Sequence, residues 1–468
     1  MAATETTFDL TIIGSGPGGY VAAIRAAQLG LKTACVEMAP LLGGTCLIWG
    51  CIPTKALLHA AEVLETSRHA GAFGVKVAPG TLDVDALQKY KDKVVLANAK
   101  GVEYLFKKNG VTLVRGRGTL AGKNKIKVEA AGTPAVTLDS KAIIVATGSA
   151  IRSLPGAEFD GRQIINSDHA LGLKEVPGSM IVLGAGAVGV EFASIYATYG
   201  SKVTLVELLP RLLPVEDASL GVELERAFKK RGLAIHTGTK VERVEKDKSG
   251  VKVVSSKDGK PVELAADVLL VAIGRRPVTE NLGLEALGVT LDRGFIEVDS
   301  MMRTSAPGLY AIGDVVKSQA LAHVASHEGI VAVEHVARKS PHPVDYDKVP
   351  SCTYCDPEVA SVGLTEEEAR KRGYAVVTGQ FPFSALGKAR ILEDTRGFVK
   401  IVAESKYDEV LGVHIIGPHA TELIAEASAA LQLEATAASL FEAVHAHPTL
   451  SEAMGEAALA VHKRAIHF

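Results

Sequence analysis

The chain is poor in cysteine and in net charge, and each shortage excludes a class of protein. Five cysteines in 468 residues are too few for a secreted disulfide framework, so we expect an intracellular protein in which a disulfide serves catalysis. A formal net charge of -2 provides no electrostatic footprint for nucleic acid or for an acidic membrane surface. Partners are therefore expected at local sites rather than through bulk charge.

Long hydrophobic runs are also scarce. The longest apolar stretch, Met180 to Tyr199, is interrupted by Glu191 and is rich in glycine, so no membrane span is predicted there. The first nine residues are acidic and lack both the apolar core of a signal peptide and the Arg-rich face of a transit peptide. These features predict a cytoplasmic protein, or one of the mitochondrial matrix if the chain is a processed organellar form.

Glycine is abundant, and a first glycine-rich turn has the context of a nucleotide site. An apolar run from Phe8 to Ile13 leads into it, and a helical pattern follows. In such a turn Gly14 makes the tight bend, Gly16 lets a pyrophosphate approach the backbone, and Gly19 lets helix and strand pack closely. The next strand ends at Glu37, which we expect to accept hydrogen bonds from a ribose.

The same unit recurs later in the chain with Gly184, Gly186 and Gly189. The acid follows the first glycine by 23 residues in each copy, at 14 to 37 and at 184 to 207. Two nucleotide cofactors are therefore predicted, the alternative being that one copy is a packing relic. Glu207 repels a 2′-phosphate and favours NAD over NADP, although Arg211 nearby weakens that preference.

Two cysteines, Cys46 and Cys51, follow the first unit. On a regular helix, side chains five residues apart diverge by about 140°, so a disulfide between them requires a distorted turn. Gly50 permits unusual backbone angles and Pro53 removes an N–H, so the run supplies its own distortion. A short, strained bridge of this kind is easier to reduce than a structural one.

Three further segments end apolar strands in small residues. Ala146-Thr147-Gly148 and Ala272-Ile273-Gly274 are places where the chain can leave one nucleotide domain for the next. The run from Gly308 to Asp314 is a short strand that ends in Gly-Asp. Asp314 is a candidate for bonding a cofactor hydroxyl, with a plain turn as the alternative.

Taken in order and spacing, these motifs resemble the flavin-dependent pyridine-nucleotide disulfide oxidoreductases over nearly the whole chain. The resemblance also rests on Leu321-Ala322-His323, Glu328-Gly329 and the run from His445 to Glu452. It implies an α/β fold with two Rossmann-like dinucleotide-binding domains and an α+β C-terminal dimerisation domain. The expected divisions are 1–149 for FAD, 150–276 for NAD, 277–348 for a central domain that completes the FAD site, and 349–468 for the interface.

The resemblance also implies where the cofactors bind. FAD would lie on the first unit, with Glu37 on its adenosine ribose and Asp314 on its ribityl chain. The residues expected to complete the FAD site are Lys55, Thr147, Gly148, Ala322 and His323, with backbone groups of the last two on the flavin ring. NAD would lie on the second unit, where Glu191, Glu207 and Gly274 accompany the three glycines.

For the chemistry, the resemblance implies that a dithiol attacks Cys46 and that Cys51 becomes the thiolate beside the flavin. His447 is the candidate base and Glu452 its partner, but Thr449 to Glu452 also reads as a capping box, in which Glu452 only satisfies a helix start. In the family this segment comes from the second subunit, which implies a homodimer.

Lys55 and Glu191 have ordinary alternatives. Lys55 lies one turn after Cys51 if the segment is helical, where its charge would stabilise an anion, or it is simply solvated. Glu191 approaches the nicotinamide and pairs with the lysine in the family, or it is a snorkelling surface residue. The implied substrate is a dihydrolipoyl group on the lipoyl domains of 2-oxoacid dehydrogenase complexes, or on the lipoyl carrier protein of glycine cleavage.

The chain departs from the family pattern within the redox run, and some related enzyme groups remain to be weighed against this assignment. Ile48 and Trp49 replace the asparagine and valine usual between the redox cysteines, and Trp49 either only packs or alters the disulfide potential. Cys352 and Cys355 are expected on one strand, facing opposite ways, as structural residues. Glutathione-type reductases require basic residues in place of Glu207, and mercuric reductases a terminal cysteine pair that this chain lacks. A flavoprotein without dithiol turnover is the remaining alternative.

Overall fold

The structure is a computed structural model of one chain, and it describes residues 6–78 and 80–468. Most of the chain start used above to predict localisation, residues 1–5, lies outside the described residues. The strands of the described part, β1 to β24 in chain order, are Thr7–Ile13, Thr33–Glu37, Thr112–Arg115, Arg117–Gly122, Lys125–Glu129, Val136–Val145, Ser149–Ile151, Ile164–Ile165, Ser179–Leu183, Lys202–Val206, Ala234–His236, Thr239–Asp247, Gly250–Lys257, Lys260–Ala266, Val268–Val271, Arg275–Pro277, Leu291–Asp292, Phe295–Ile296, Leu309–Ala311, Ser351–Thr353, Glu358–Gly363, Val376–Pro382, Phe398–Glu404 and Val410–Gly417.

The α-helices of the same residues, α1 to α12 in chain order, are Pro17–Gln28, Cys51–His69, Val84–Asn109, Ser167–Leu171, Ala187–Tyr199, Ala218–Lys230, Ala322–Val336, Glu366–Lys371, Gly387–Ile391, Ala420–Gln432, Ala437–Glu442 and Glu452–Val461. A π-helical turn covers Thr45–Trp49. Short 3₁₀ turns are found at Ala70–Phe73, Glu285–Leu287, Gly313–Val315, Tyr346–Lys348 and Phe383–Ala385.

The chain divides into two compact units, of which the first comprises residues 6–56, 88–152 and 275–346. Its sheet has the order β3-β2-β1-β6-β5-β4, with β19 also paired to β6. Strands β1, β2, β3, β6 and β19 run parallel, so their carboxyl ends meet at one edge of the sheet. Ligands of open α/β sheets bind at that edge.

Glycine contacts attach helix α7 to helix α1 in the first unit. A Cβ on Gly18 would lie 2.9 Å from the carbonyl oxygen of Ala325, and one on Gly329 would lie 2.8 Å from the carbonyl oxygen of Gly18. Both distances are too short for a side chain, so the two helices pack backbone against backbone. This contact keeps helix α7 beside the first glycine-rich turn.

The second unit comprises residues Leu57–Leu87, Ser153–Gly274 and Asp347–Phe468. It contains a five-stranded parallel sheet of order β11-β10-β9-β15-β8. Helices α5 and α6 cover this sheet, and the three-stranded antiparallel sheet β12-β13-β14 is inserted in the chain between its strands β11 and β15. Strand β9 is apolar and mostly buried, as is typical of a parallel strand with both faces covered.

The C-terminal part of the second unit is an antiparallel sheet of order β20-β21-β24-β23-β22, backed by helices α10 and α12. The expectation that Cys352 and Cys355 share a strand was wrong. Strand β20 ends at Thr353, and Cys355 lies in a bend that leads into the cis peptide bond between Asp356 and Pro357. Proline removes a ladder donor at that point, so the strand stops before it.

The predicted fold class is confirmed: a mixed sheet with a parallel core of strands and a fully parallel sheet, each carrying a glycine-rich turn, precede an α+β C-terminal part. The division into four domains stays a prediction. Met180–Tyr199, whose apolar character prompted the membrane question, forms most of strand β9 and all of helix α5.

One helical stretch of the described residues, Thr45–Phe73, is long and apolar enough to pass a length-and-composition test for a membrane span. Buried helices pass the same test, and 39% of its most apolar window is buried. This stretch contains both cysteines of the predicted redox pair.

Candidate active site

The predicted distortion between Cys46 and Cys51 is present as a π-helical turn. Thr45–Trp49 forms the turn, Gly50 follows with φ −137° and ψ −108°, and helix α2 begins at Cys51. A π-helix bonds residues five apart instead of four, so it brings positions 46 and 51 over one another. The Cys46 thiol donates a hydrogen bond to the Cys51 sulfur.

The electrostatics of the pair keep a proton on Cys46. The hydrogen bond to Cys51 raises the pKa of the Cys46 thiol well above its usual range, and burial raises it further. The charge of Lys55 acts in the opposite direction and lowers that pKa. Lys55 lies one turn into helix α2 and is partly buried, and its predicted role in stabilising an anion at the redox turn stays a prediction.

The residues between the two cysteines differ in burial. Ile48 packs against a hydrophobic cluster of the first unit. Trp49 is 40% exposed, which is more than a residue that only fills the core would show.

In the first glycine turn, Gly14 and Gly19 have no room for a side chain, whereas Gly16 has. A Cβ on Gly14 would lie 2.3 Å from the Ala146 carbonyl oxygen, and Gly14 has φ +105°. A Cβ on Gly19 would lie 1.9 Å from the carbonyl oxygen of Gly14. A Cβ on Gly16 meets no described atom within 4 Å. The middle position is therefore the one left free for a ligand.

The second glycine turn repeats this geometry. Gly184 has φ +101°, and its Cβ would lie 2.5 Å from the Ala272 carbonyl oxygen. A Cβ on Gly189 would lie 1.8 Å from the carbonyl oxygen of Gly184, whereas one on Gly186 meets no described atom within 4 Å. The two turns thus have the same geometry. This argues against the alternative that the second turn is only a packing relic without a nucleotide, because such a turn has no need to keep the space beside Gly186 open.

The helices behind the two turns present uncapped N-termini. Gly16 and Gly186 are the N-cap residues of helices α1 and α5, and in the described chain neither helix has a side-chain cap or an acidic residue in its first turn. Unsatisfied N–H groups and the helix dipole favour a phosphate there. The open glycines and uncapped helices fit the pyrophosphates of FAD and NAD.

The two predicted ribose acids also brace their glycine turns. The Glu37 carboxylate accepts hydrogen bonds from the N–H and hydroxyl of Ser15 and from the N–H of Ala39. The Glu207 carboxylate accepts equivalent bonds from the N–H groups of Ala185, at 2.6 Å, and Leu209, at 2.8 Å. A carboxylate has about four acceptor positions, so capacity for a ribose remains. The glycine-to-acid spacing predicted the ligand role but missed this bracing.

Residues after strands β6 and β19 come together at the carboxyl edge of the first sheet. Thr147 donates its hydroxyl to the Val278 carbonyl at 2.7 Å, and Gly148 has φ +69°. Asp314 lies in the 3₁₀ turn Gly313–Val315 and accepts a hydrogen bond from the Ser149 hydroxyl. Asp314 therefore lies in a turn and also at the carboxyl edge of the first sheet. A position in a turn and a bond to a cofactor hydroxyl, which were the two alternatives for it, are compatible. Gly274, at the end of the second unit, has φ +104°.

Glu328 is a site residue whose role the sequence reasoning missed. It is fully buried on helix α7, and its carboxylate accepts hydrogen bonds from the Gly313 N–H at 2.6 Å and the Tyr346 hydroxyl at 2.8 Å. Burial raises the pKa of Glu328, although these hydrogen bonds oppose the shift. The signal for it was an acid directly before Gly329, the glycine that packs helix α7 against helix α1.

A cavity of about 650 Å³ opens beside Cys46 in the first unit. It is lined by the start of helix α7, with Ala322 and His323, and by one face of helix α3. Helix α7 begins without a side-chain cap in the described residues, so the positive end of its dipole lies at this cavity. Cys46 thus faces a space large enough for a small substrate.

In the second unit, Glu191 is buried, which excludes the snorkelling alternative. It is 5% exposed on helix α5 and accepts a hydrogen bond from the Tyr354 N–H at 2.9 Å. Its predicted pairing with Lys55 stays a prediction. Arg211, which weakened the choice of NAD, donates to the Pro214 carbonyl at 3.2 Å.

His447 and Glu452 form a hydrogen-bonded pair at the start of helix α12. Nδ1 of His447 lies 2.9 Å from one Glu452 oxygen, and the Thr449 N–H donates to the other at 2.8 Å. Burial raises the pKa of Glu452, but these two hydrogen bonds outweigh it and the pKa is lowered overall. The carboxylate therefore orients the imidazole and satisfies the helix start at once.

Two sequence profiles of known protein families match this chain. The sequence profile described as pyridine nucleotide-disulphide oxidoreductase matches residues 8–329. The profile of the dimerisation domain of the same group matches residues 349–458. The second profile contains both His447 and Glu452.

Individual relatives are similar over nearly their whole length. A dihydrolipoyl dehydrogenase of Bacillus subtilis is 47% identical over 473 residues, covering 99% of this chain and 100% of that one. One of Chlorobaculum tepidum is 49% identical over 452 residues, 96% of each chain. The crystal structure of LpdA from Mycobacterium tuberculosis superposes with a TM-score of 0.89 at 30% identity, covering 97% of this chain and 99% of that one.

Proposed function

The chain belongs to the pyridine nucleotide-disulphide oxidoreductase family, and we propose from this premise how its residues divide the work of a dihydrolipoyl dehydrogenase. The enzyme oxidises a dihydrolipoyl dithiol to the disulfide, with FAD and NAD as cofactors. The observation that carries the division of roles is the π-helical turn, because it brings Cys46 and Cys51 together while Cys46 lines the cavity.

Cys46 is the sulfur that the substrate attacks, since it faces the cavity. A substrate thiolate bonds to Cys46, the Cys46–Cys51 bond breaks, and Cys51 leaves as a thiolate. The second substrate thiolate then attacks the substrate sulfur of this mixed disulfide, which closes the substrate disulfide and releases Cys46. Two electrons have moved to the enzyme; one proton ends on Cys46 and the other leaves through the base.

His447 is the base that removes the substrate protons. Because the Glu452 carboxylate can only accept, the Nδ1 atom of His447 carries the hydrogen and Nε2 keeps its lone pair for a substrate thiol. The His447 side chain is 79% exposed on its own chain, which supports its delivery to a second copy. The match to a dimerisation domain supports the same homodimer.

When bound, FAD would supply a two-electron acceptor for the enzyme dithiol and a hydride donor for NAD. We infer that the first glycine turn would hold FAD and the second NAD, where Glu207 disfavours a 2′-phosphate. Lys55 would stabilise negative charge at the redox turn, Asp314 would hold the ribityl chain of FAD, and Glu328 keeps the turn of Asp314 in place through Gly313.

The proposed macromolecular partners are lipoyl domains of 2-oxoacid dehydrogenase complexes or the lipoyl carrier protein of glycine cleavage. A lipoyl group on a flexible arm is small enough to enter the cavity beside Cys46 while its carrier stays outside. We propose a cytoplasmic location, with the mitochondrial matrix as the equivalent for an organellar form.

The proposal is tested by adding one equivalent of dihydrolipoamide to the oxidised holoenzyme without oxygen and recording its absorption spectrum. We expect the long-wavelength band of a thiolate beside the flavin, and loss of that band with formation of NADH when NAD is added. A flavoprotein without dithiol turnover shows no band and no NADH, and that result would overturn the assignment.

A further inference from the structure

Arg275 is a partly buried, charged side chain of the first unit that the mechanism above does not use. It lies on strand β16, which pairs antiparallel with strand β7. Its Nε donates to the Ser149 hydroxyl at 2.7 Å, and its Nη2 donates to the Ser149 carbonyl at 2.8 Å. One planar guanidinium thus holds both the side chain and the backbone of Ser149.

Ser149 passes this constraint to Asp314. A hydroxyl has one proton, and that of Ser149 is donated to Asp314 Oδ2 while its oxygen accepts from Arg275. The Ser149 rotamer is therefore determined from both sides. Asp314 is the residue proposed to hold the ribityl chain of the flavin.

The other end of this hydrogen-bonded chain, called the relay below, reaches the redox turn. Nη2 of Arg275 also lies 3.4 Å from Oγ1 of Thr45, the first residue of the π-helical turn. A Cβ on Gly50 would lie 3.0 Å from the carbonyl oxygen of Thr45, so the turn closes back on the same residue. Cys46 follows Thr45 directly in the chain.

We propose that Arg275 and Ser149 are positioning residues that hold the redox turn and Asp314 in one fixed arrangement. This inference rests on the proposed function. Without the relay, the turn that carries the cysteines and the acid that holds the flavin are joined by fewer constraints. Small losses of alignment between reacting groups lower rates strongly. The fork of Arg275 fixes directions that the single ammonium of a lysine does not.

The chain supplies a matched control in the next residue. Arg276 is exposed and pairs with Glu280 at 3.0 Å. It shares the strand, charge and size of Arg275 but has side-chain contacts outside the relay.

The test compares the holoenzyme variants Arg275→Met, Arg275→Lys, Ser149→Ala and Arg276→Met. We expect Arg275→Met to lose at least half of the thiolate–flavin band and to oxidise dihydrolipoamide about tenfold more slowly, with an unchanged KM for NAD. Arg275→Lys should recover part of the band, Ser149→Ala should change in the same direction as Arg275→Met, and Arg276→Met should equal the wild type.

Trp49 provides a second measurement that needs no dithiol turnover. It is the only tryptophan and lies in the same turn as Thr45, so its fluorescence, measured with and without bound flavin, reports on this turn. We expect a shifted emission in Arg275→Met and also in Thr45→Val. The second variant removes only the Thr45 hydroxyl that accepts from Arg275, so it still tests the proposal if Arg275→Met fails to fold.

Two results would overturn the positioning role: a band and a Trp49 emission in Arg275→Met and Thr45→Val equal to those of Arg276→Met, or an effect confined to the KM for NAD. If the wild type itself gives no band, the proposed function fails, whereas the Trp49 emission of the variants still decides whether the relay holds the turn.

Discussion

Nδ1 of His447 lies 2.9 Å from Oε1 of Glu452, and the other oxygen of Glu452 accepts the N–H of Thr449. The imidazole is therefore tied to the first turn of helix α12 while most of the ring stays exposed. An acid that orients a histidine in this way is typical of base catalysis. The first prediction concerns this pair.

His447→Gln should lower the rate of dihydrolipoamide oxidation by about 100-fold or more, because a positioned general base contributes that much. Reduction of the flavin by NADH should continue, since it requires no base at this position. Stopped-flow measurement of both half-reactions checks this. His467→Gln is the control, because His467 and Glu456 form a similar exposed pair at 2.7 Å. Equal loss in both half-reactions would contradict the assignment.

Cys46→Ser and Cys51→Ser should differ in colour although both stop turnover. With Cys51 intact, the enzyme keeps a sulfur beside the flavin, so Cys46→Ser should show the long-wavelength band at rest. Cys51→Ser should show none. Spectra at rest and after dithionite decide this, with Cys352→Ser as the unaffected control. Reversed behaviour of the two serine variants would reverse the roles of the sulfurs.

Alanine substitutions should separate structural from ligand-facing glycines. Gly14→Ala puts a Cβ 2.3 Å from a carbonyl oxygen at φ +105°, so it should destabilise the protein by about 2 kcal/mol or more. Gly16→Ala meets no described atom within 4 Å and should unfold at the wild-type temperature after flavin removal, yet retain FAD poorly. Thermal unfolding with and without FAD measures both, and wild-type FAD affinity in Gly16→Ala would refute the proposed approach of the pyrophosphate.

Glu207→Gln should weaken the preference for NAD over NADP by about tenfold, because it removes the charge that repels a 2′-phosphate. The amide oxygen can still accept one of the two backbone N–H groups that Glu207 braces. The ratio of kcat/KM for the two nucleotides is the measurement. Glu37→Gln, the matching change in the first unit, should leave that ratio unchanged while weakening FAD retention.

Asp217→Asn should destabilise the second unit by about 3 kcal/mol near neutral pH, since it leaves buried Lys400 with one fewer charged partner. Burial raises the pKa of Asp217, but His414, Ser219 and Lys400 outweigh it, and the pKa lies well below its usual range. A depressed pKa stabilises the fold above the unfolded-state value and loses that effect as the pH falls through the folded-state value.

The difference between wild type and Asp217→Asn should therefore be largest above about pH 5 and shrink progressively as the pH falls below about 4, the pKa of an unfolded aspartate. Melting temperatures across this range measure it. Asp292→Asn is the control, because Asp292 pairs with Lys317 on the surface, and it should leave the melting temperature almost unchanged. If the difference in melting temperature between wild type and Asp217→Asn grew as the pH fell, the predicted direction of the Asp217 pKa shift would be wrong.

Much of the site followed from local pattern. The two glycine turns, their acids and the distorted cysteine run depend on residues close in sequence, whose spacing is constrained by strand and helix geometry. The bracing of the turns by Glu37 and Glu207 was missed because spacing identifies an acid but not the groups it contacts. Cys355 was misplaced because periodicity does not reveal where a strand ends at a cis proline.

The sequence by itself determined the nucleotide turns and the cysteine run, because each is a short segment whose chemistry requires its residue types in that order, and it predicted a base at His447 that stays a proposal. Only the tertiary structure decided that Glu328 holds Gly313 and that Arg275 joins Thr45 to Ser149. These partners are separated by 15 to more than 200 residues. Contacts of that kind depend on how the strands and helices pack together, so no local pattern of residues encodes them.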